Sequence, residues 1–152
     1  MQFLTVAFSV FVLLMTYPTP AFSDPSLIDD FQSSPEKRWS YIADTVMGGR
    51  SSGVIEFQTE NNIALGHLFG TVSTENNGGF IQIRRKLDVA PSDGVIGFRL
   101  KVRGNNQRYF VHVRTSQTVL PWQYYQASFF AGSEWREVKL DLADFEPSGS
   151  KL

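Results

Sequence analysis

The sequence predicts an all-β protein, an antiparallel β-sandwich or jelly roll, on three observations. Seven short segments alternate apolar and polar residues with period two, each is bounded by Gly, Asn, Asp or Ser, and no stretch sustains an apolar stripe at helical spacing. Strands that follow one another through tight turns, without crossover helices, pair as antiparallel neighbours.

The N-terminus is set apart from that pattern. Phe3 to Met15 is an uncharged apolar run, shorter than the roughly 20 residues a helix needs to cross a bilayer. Pro18 and Pro20 break it, and Ala21-Phe22-Ser23 places small residues at the −3 and −1 positions of a cleavage site before Asp24. Residues 1–23 are therefore expected to be a signal peptide and the product secreted or periplasmic. The alternative is an uncleaved N-terminal anchor, the one route by which the chain is expected to meet a membrane. No Lys or Arg precedes the apolar run, so the α-amino group alone supplies positive charge there. Residues 24–152 form a single predicted β-sandwich domain, large enough to bury one core. Within it, Asp24 to Arg38 is polar apart from Leu27, Ile28 and Phe31, and reads as a leading arm that docks against the sandwich.

The strands follow in order. Gly53 to Thr59 and Ala64 to Val72 flank Asn61-Asn62, a pair suited to a tight turn. Phe80 to Leu87 follows Asn76-Asn77-Gly78-Gly79. Val95 to Arg103 is the cleanest, with Ile96, Phe98, Leu100 and Val102 alternating with Gly97, Arg99, Lys101 and Arg103. Tyr109 to Thr115, Tyr124 to Phe130 and Glu137 to Leu142 complete the set, separated by turns at Gly104-Asn105-Asn106 and Gly132-Ser133.

Charge and cysteine content exclude several classes. Fourteen Lys and Arg balance 15 Asp and Glu, which argues against nucleic-acid binding, since that needs a basic surplus. The absence of Cys removes disulfides, thiolate metal sites and thiol nucleophiles. His67 and His112 both fall inside strands, with no second ligand at metal spacing, and His67 shares its parity with Leu65 and Phe69, which predicts partial burial. There is no Gly-x-Ser-x-Gly elbow, and Asp29-Asp30 and Asp141/Asp144 read as solvated charges rather than as a glycosidase pair. Gly48-Gly49-Arg50-Ser51-Ser52 lacks the Gly-Lys-Ser/Thr ending of a phosphate loop, and reads as a tight backbone course into the next strand. No catalytic residue, metal or cofactor is expected.

Two constellations remain as binding candidates. Arg99, Lys101 and Arg103 on one strand, with Arg84 and Arg114 on the predicted neighbours, would share one sheet face if those strands paired. Such a face suits anionic or hydroxyl-rich ligands, although a solvated charged face is the simpler reading. Trp122, Tyr124, Tyr125 and the adjoining Gln126 combine ring faces with polar donors, the ingredients of sugar recognition. Trp39 and Trp135 read as packing residues.

Two segments carry a family resemblance. Asp44-Thr45-Val46-Met47-Gly48-Gly49-Arg50-Ser51-Ser52-Gly53, and the stretch from Phe69 through Glu75-Asn76-Asn77-Gly78-Gly79-Phe80 to Arg84, together resemble the complex I intermediate-associated protein 30 family. Leu100 to Gly104, Arg108-Tyr109, Tyr125-Gln126-Ala127-Ser128-Phe129, Trp135 and Asp144-Phe145 are similar in order and spacing, so the likeness spans about residues 28–147. It implies a galactose-binding-like jelly roll and a non-catalytic, chaperone-like role in assembling NADH:ubiquinone oxidoreductase. Members of the family continue beyond the position of Pro147, so the expected jelly roll lacks its C-terminal closing strands. An export signal also puts the chain across a membrane from matrix-side or cytoplasmic subunits. The partner is accordingly either a protein, in assembly, or a carbohydrate, as a secreted module, with an enzyme the least favoured class. In the motif, Gly48, Gly49, Gly78 and Gly79 are expected to hold backbone angles that side chains disfavour, and Asp44 and Asn77 to bond to loop N–H groups.

Overall fold

Period-two alternation becomes strand wherever the sequence shows it. The computed structural model describes residues 27–87 and 93–148, and its nine strands are β1 (Trp39–Ala43), β2 (Ser52–Glu60), β3 (Ile63–Thr71), β4 (Ile81–Arg85), β5 (Gly97–Val102), β6 (Gln107–Val113), β7 (Tyr125–Ala131), β8 (Arg136–Asp141) and β9 (Glu146–Pro147). The only helical elements among the described residues are 3-10 turns of three or four residues. The seven predicted strands are all present, shifted at their ends by a few residues. The predicted signal peptide, residues 1–23, lies outside the described residues.

The chain divides into two compact units, one on either side of residue 88. In the first, β2 and β3 form an antiparallel hairpin, and β1 and β4, which flank it in sequence, pair antiparallel with each other. Asn61 and Asn62 make the hairpin turn with φ of 49° and 64°. A two-residue loop with both φ positive matches the right-handed twist of the strands it joins. Gly53 and Gly70 sit opposite each other in this ladder. A β-carbon on Gly70 would lie 2.2 Å from the Ser52 carbonyl, and one on Gly53 would press on the Phe69 carbonyl and the Tyr41 hydroxyl.

The second unit repeats the nesting. β6 and β7 form the inner hairpin, and β5 and β8 pair antiparallel around it in sequence, with Gly97 opposite Asp141 and Val102 opposite Arg136. β9 adds to β7 through Tyr125 and Gln126. Among the described residues, Ala127, Ala131 and Leu140 are its buried apolar residues, while Pro35, Ala43 and Leu65 are those of the first unit.

The leading arm docks as anticipated, through Asp29 and Phe31 rather than Leu27 and Ile28, which stay exposed. Phe31 stacks between Trp39 of β1 and Phe57 of β2, with ring centroids 5.6 and 6.1 Å away. The Asp29 carboxylate accepts hydrogen bonds from Arg38 Nε (2.9 Å) and Nη2 (2.8 Å), from Trp39 Nε1 (2.9 Å) and from Arg85 Nη1. The Arg38 hydrogen bond is the strongest influence holding the Asp29 carboxyl well below the ordinary carboxylate range, against the opposing effect of burial.

Leu140 is 5% exposed whereas Leu142, two residues on, is 46% exposed. Leu140→Ala should therefore lower stability by about 2–5 kcal/mol, and Leu142→Ala by less than about 0.5 kcal/mol, as read by urea titration of each variant beside the parent.

Candidate functional site

The motif residues converge on one carboxylate. β1 ends at Ala43, and Asp44 opens a 3-10 turn, Asp44–Met47, that leads toward β2. Asp44 is fully buried. Its Oδ1 accepts from the Ser51 N–H (2.9 Å), and its Oδ2 accepts from the Ser51 hydroxyl, the Gly79 N–H (2.6 Å) and the Phe80 N–H (3.3 Å). The Asp44 backbone closes the knot: its N–H donates to the Phe80 carbonyl (3.2 Å) and its carbonyl accepts from the Gly49 N–H (3.0 Å). One side chain thus joins the loop before β2 to the loop before β4, about 35 residues further along the chain.

Burial, the largest single influence, pushes the Asp44 carboxyl up, but the hydrogen bonds from Ser51, Gly79 and Phe80 together outweigh it and the net direction is down. Those bonds all favour the ionised form, because a carboxylate accepts and a carboxylic acid must donate.

The four glycines divide by cause. Gly48 (φ 88°) and Gly79 (φ 142°) occupy the left-handed half of backbone space, where side chains are disfavoured, as the sequence suggested. Gly49 and Gly78 do not. A β-carbon on Gly49 would lie 2.4 Å from Asp44 Cγ, and one on Gly78 would lie 2.5 Å from Asp44 Oδ2. These two are glycine because the carboxylate occupies the space a side chain would need.

Asp44 bonds to loop N–H groups as expected. The cross-loop bond from the Asn pair is made by Asn76, whose Nδ2 donates to the Gly48 carbonyl at 3.1 Å, while Asn77 contributes a left-handed φ of 58°. Ser51 was missed as a partner of Asp44. It is 1% exposed and its hydroxyl also accepts from the Ser73 N–H (3.0 Å), and a Ser flanked by polar residues gives no period-two signal of burial. On the outside of this knot Val46 is 71% and Met47 65% exposed, and Arg50 pairs with Glu75 at 2.8 Å in solvent.

The cation face is not assembled by strand pairing. β5, with Arg99, is hydrogen-bonded to β8; Arg84 is on β4, beside β1, and Arg114 follows β6, beside β7. Arg99 lies 3.7 Å from Glu137, and Arg103 and Lys101 sit over the Trp135 ring at 4.9 and 5.9 Å. Arg114 turns inward on its own loop, donating from Nη2 to the Thr118 (2.8 Å) and Leu120 (3.1 Å) carbonyls.

The aromatic cluster also separates. Tyr124 stacks on His112 with ring centroids 4.0 Å apart, whereas Tyr125 stands opposite Val113 in the ladder. His112 and Val113 are consecutive in β6 and so face opposite ways, which sends the two tyrosines to opposite faces. Gln126 pairs with His112 and Glu146, and Trp122 stands alone at the turn, 67% exposed. His112 is held below its ordinary pKa by burial. His67 is exposed rather than partly buried, because Leu65 is the one residue of its parity that the core covers. Among the described residues no group of three or more His, Asp or Glu is placed to hold a metal ion.

The family model for complex I intermediate-associated protein 30 matches residues 29–151, which takes in both the Asp44 and the Gly78-Gly79 segments. The chain belongs to this family. No curated protein and no solved structure matches the chain. The antiparallel all-β architecture agrees with the galactose-binding-like domain of complex I intermediate-associated protein 30, and the Asp44 and Gly78-Gly79 segments of the resemblance are the ones that build the Asp44 knot.

Asp44→Asn replaces one acceptor oxygen by a donor that must face N–H or O–H donors, and should lower Tm by about 5–15 °C. The pH dependence follows from the lowered folded-state pKa. The stability that ionised Asp44 provides is present above the unfolded-state value near 3.8 and is lost as pH falls through the folded-state value. Thermal melts of Asp44→Asn from pH 7 downward should show a shallower loss than the parent, with the residual slope carried by Asp29.

Independently, Gly49→Ala should destabilise although its φ lies outside the left-handed region, and the double variant Gly49→Ala/Asp44→Ala should lose less than the two single effects added together. Additive losses in calorimetry would mean that Gly49 and Asp44 do not share that space.

Proposed function

We propose that the chain is a non-catalytic protein-binding module that assists the assembly of NADH:ubiquinone oxidoreductase. One observation carries this reading: the family match over residues 29–151 coincides with a motif whose central carboxylate, Asp44, is sealed, while its other carboxylate, Glu75, pairs with Arg50 in solvent. A general acid, general base or nucleophile needs a face open to substrate. Asp44 has none, since it is fully buried and both oxygens accept hydrogen bonds from the chain itself. The knot ties two loops together, and what a partner meets around it is the exposed Val46 and Met47 beside the Arg50–Glu75 ion pair. Preorganised loops of this kind lose little conformational entropy on binding.

The carbohydrate reading is supported by Trp122 alone, because Tyr124 is committed to His112 and Tyr125 faces the other way. Residues 1–23 are proposed to export the chain. The surfaces within its reach are then those on the non-cytoplasmic side of the membrane.

The test is deletion of the gene in its own host, followed by native electrophoresis of solubilised membranes with an in-gel NADH dehydrogenase stain. The expected result is loss of full-size complex with accumulation of subcomplexes, restored by the parent gene and not by Asp44→Asn. Normal assembly in the deletion strain would overturn the proposal, and binding of the purified chain on a glycan array, abolished by Trp122→Ala, would put the carbohydrate module in its place.

A further inference from the structure

The loop from β6 to β7 ends in a tip that exposes Val119 (79%), Leu120 (42%) and Trp122 (67%) around Pro121. Exposed apolar groups at such density are usually mobile or collapsed onto the nearest sheet. Here the backbone beneath them is held in place. The Leu120 N–H donates to Gln123 Oε1 (2.9 Å), the Gln123 N–H to the Leu120 carbonyl (3.0 Å), and Arg114 Nη2 to the Thr118 and Leu120 carbonyls. Thr118, itself buried, closes the base through its N–H and hydroxyl to the Thr115 carbonyl (3.1 and 2.7 Å), and the Ser148 hydroxyl donates to the Trp122 carbonyl (2.7 Å).

The charge pattern is equally specific. From Thr115 to Ser133 the sequence has no Asp, Glu, Lys, Arg or His. At the base of the tip stands Arg114, whose guanidinium is spent on the tip's own carbonyls.

We infer that the Val119–Trp122 tip inserts into the interfacial layer of a lipid bilayer. Three features of the tip suit that environment. Backbone polar groups that leave water gain from partners within the chain, and the Thr118 and Leu120 N–H and carbonyl groups, the Trp122 carbonyl and the Gln123 N–H have them. Charged side chains must be absent from the inserting segment, and they are. An indole at the boundary suits a Trp, whose ring is apolar and whose N–H stays near the headgroups. The lack of charge also fixes the lipid class: insertion depends on buried apolar area and not on anionic headgroups, so a zwitterionic bilayer suffices and added salt leaves binding unchanged. This inference is independent of the assembly reading.

The absence of native Cys makes the test site-specific. In the full chain, Val119→Cys is labelled with an environment-sensitive nitrobenzoxadiazole dye. Ser133→Cys, just past the far end of β7, about 20 Å along the strand, is labelled as the reference. On adding phosphatidylcholine vesicles, the Val119→Cys emission should rise at least about threefold and shift to the blue, alike in 0.1 M and 1 M NaCl, while the Ser133→Cys emission stays constant. This reading is specific to the tip whatever the N-terminal apolar run does. Adding Trp122→Asp should abolish the response with an unchanged melting curve, since that side chain is exposed. No change at Val119→Cys, an equal rise at both positions, a rise that disappears in high salt, or full response with Trp122→Asp would each overturn the inference.

Discussion

The first unit depends on one buried carboxylate that has no charged partner. An ionised group taken out of water is costly unless its hydrogen-bonding capacity is filled, and Asp44 fills it with three backbone N–H groups and one hydroxyl. That requirement dictates the surrounding sequence. Gly49 and Gly78 must lack side chains so that the carboxylate fits, Gly48 and Gly79 must bend the backbone so that N–H groups point inward, and Ser51 must be small with a hydroxyl to donate. The glycine-rich segments look like ligand loops because they do what ligand loops do: they aim amides at an anion. The anion is the chain's own.

The second unit solves the same problem with the opposite charge. Asp44 gathers N–H donors from two loops, whereas Arg114 gathers carbonyls from one, at Thr118 and Leu120. Both devices sit at the entry to a loop in a nested arrangement of an inner hairpin and an outer strand pair. Asp44 ties the connection from the outer strand β1 into the inner hairpin, and Arg114 ties the inner loop from β6 to β7, where no ladder reaches. A third case is the arm, where Asp29 collects Arg38, Trp39 and Arg85. Asp44 and Arg114 each take up backbone groups that irregular chain does not pair with a neighbouring strand, whereas Asp29 mainly collects side-chain donors.

How far the sequence could be read follows from the range of each signal. Seven strands were visible because alternation over six residues or more is local and is imposed by which face the core covers. β1 was hidden because Trp39-Ser40-Tyr41-Ile42-Ala43 is short and adjoins a polar arm, and β9 because two residues carry no period. The Asp44 motif announced a constrained loop, but its composition could not distinguish glycine needed for φ from glycine needed for space: that distinction lies in the position of a side chain five residues away for Gly49 and 34 away for Gly78. The two ligand faces rested on local assumptions. Grouping Arg84, Arg99 and Arg114 assumes that sequence neighbours pair, whereas β4 pairs with β1, β5 with β8 and β6 with β7. Tyr124 and Tyr125 are adjacent in sequence, but Tyr124, just before β7, stacks on His112, while Tyr125, its first residue, stands opposite Val113.

Motif and surface thus play opposite parts in this chain. Within the motif, Gly49, Ser51, Gly78 and Gly79 have the least freedom, because each donates to the Asp44 carboxylate or leaves the space that it fills. Such residues report that the fold is made and say little about what it meets. Val46, Met47, Val119 and Trp122 are the reverse: each is more than 60% exposed and has no packing role to explain its apolar character. All four ride on turns whose backbone is tied down by a buried Asp44 or an inward-turned Arg114. A rigid turn beneath an exposed apolar side chain keeps that side chain from collapsing onto its own sheet, and so keeps its apolar surface available to whatever medium or partner arrives.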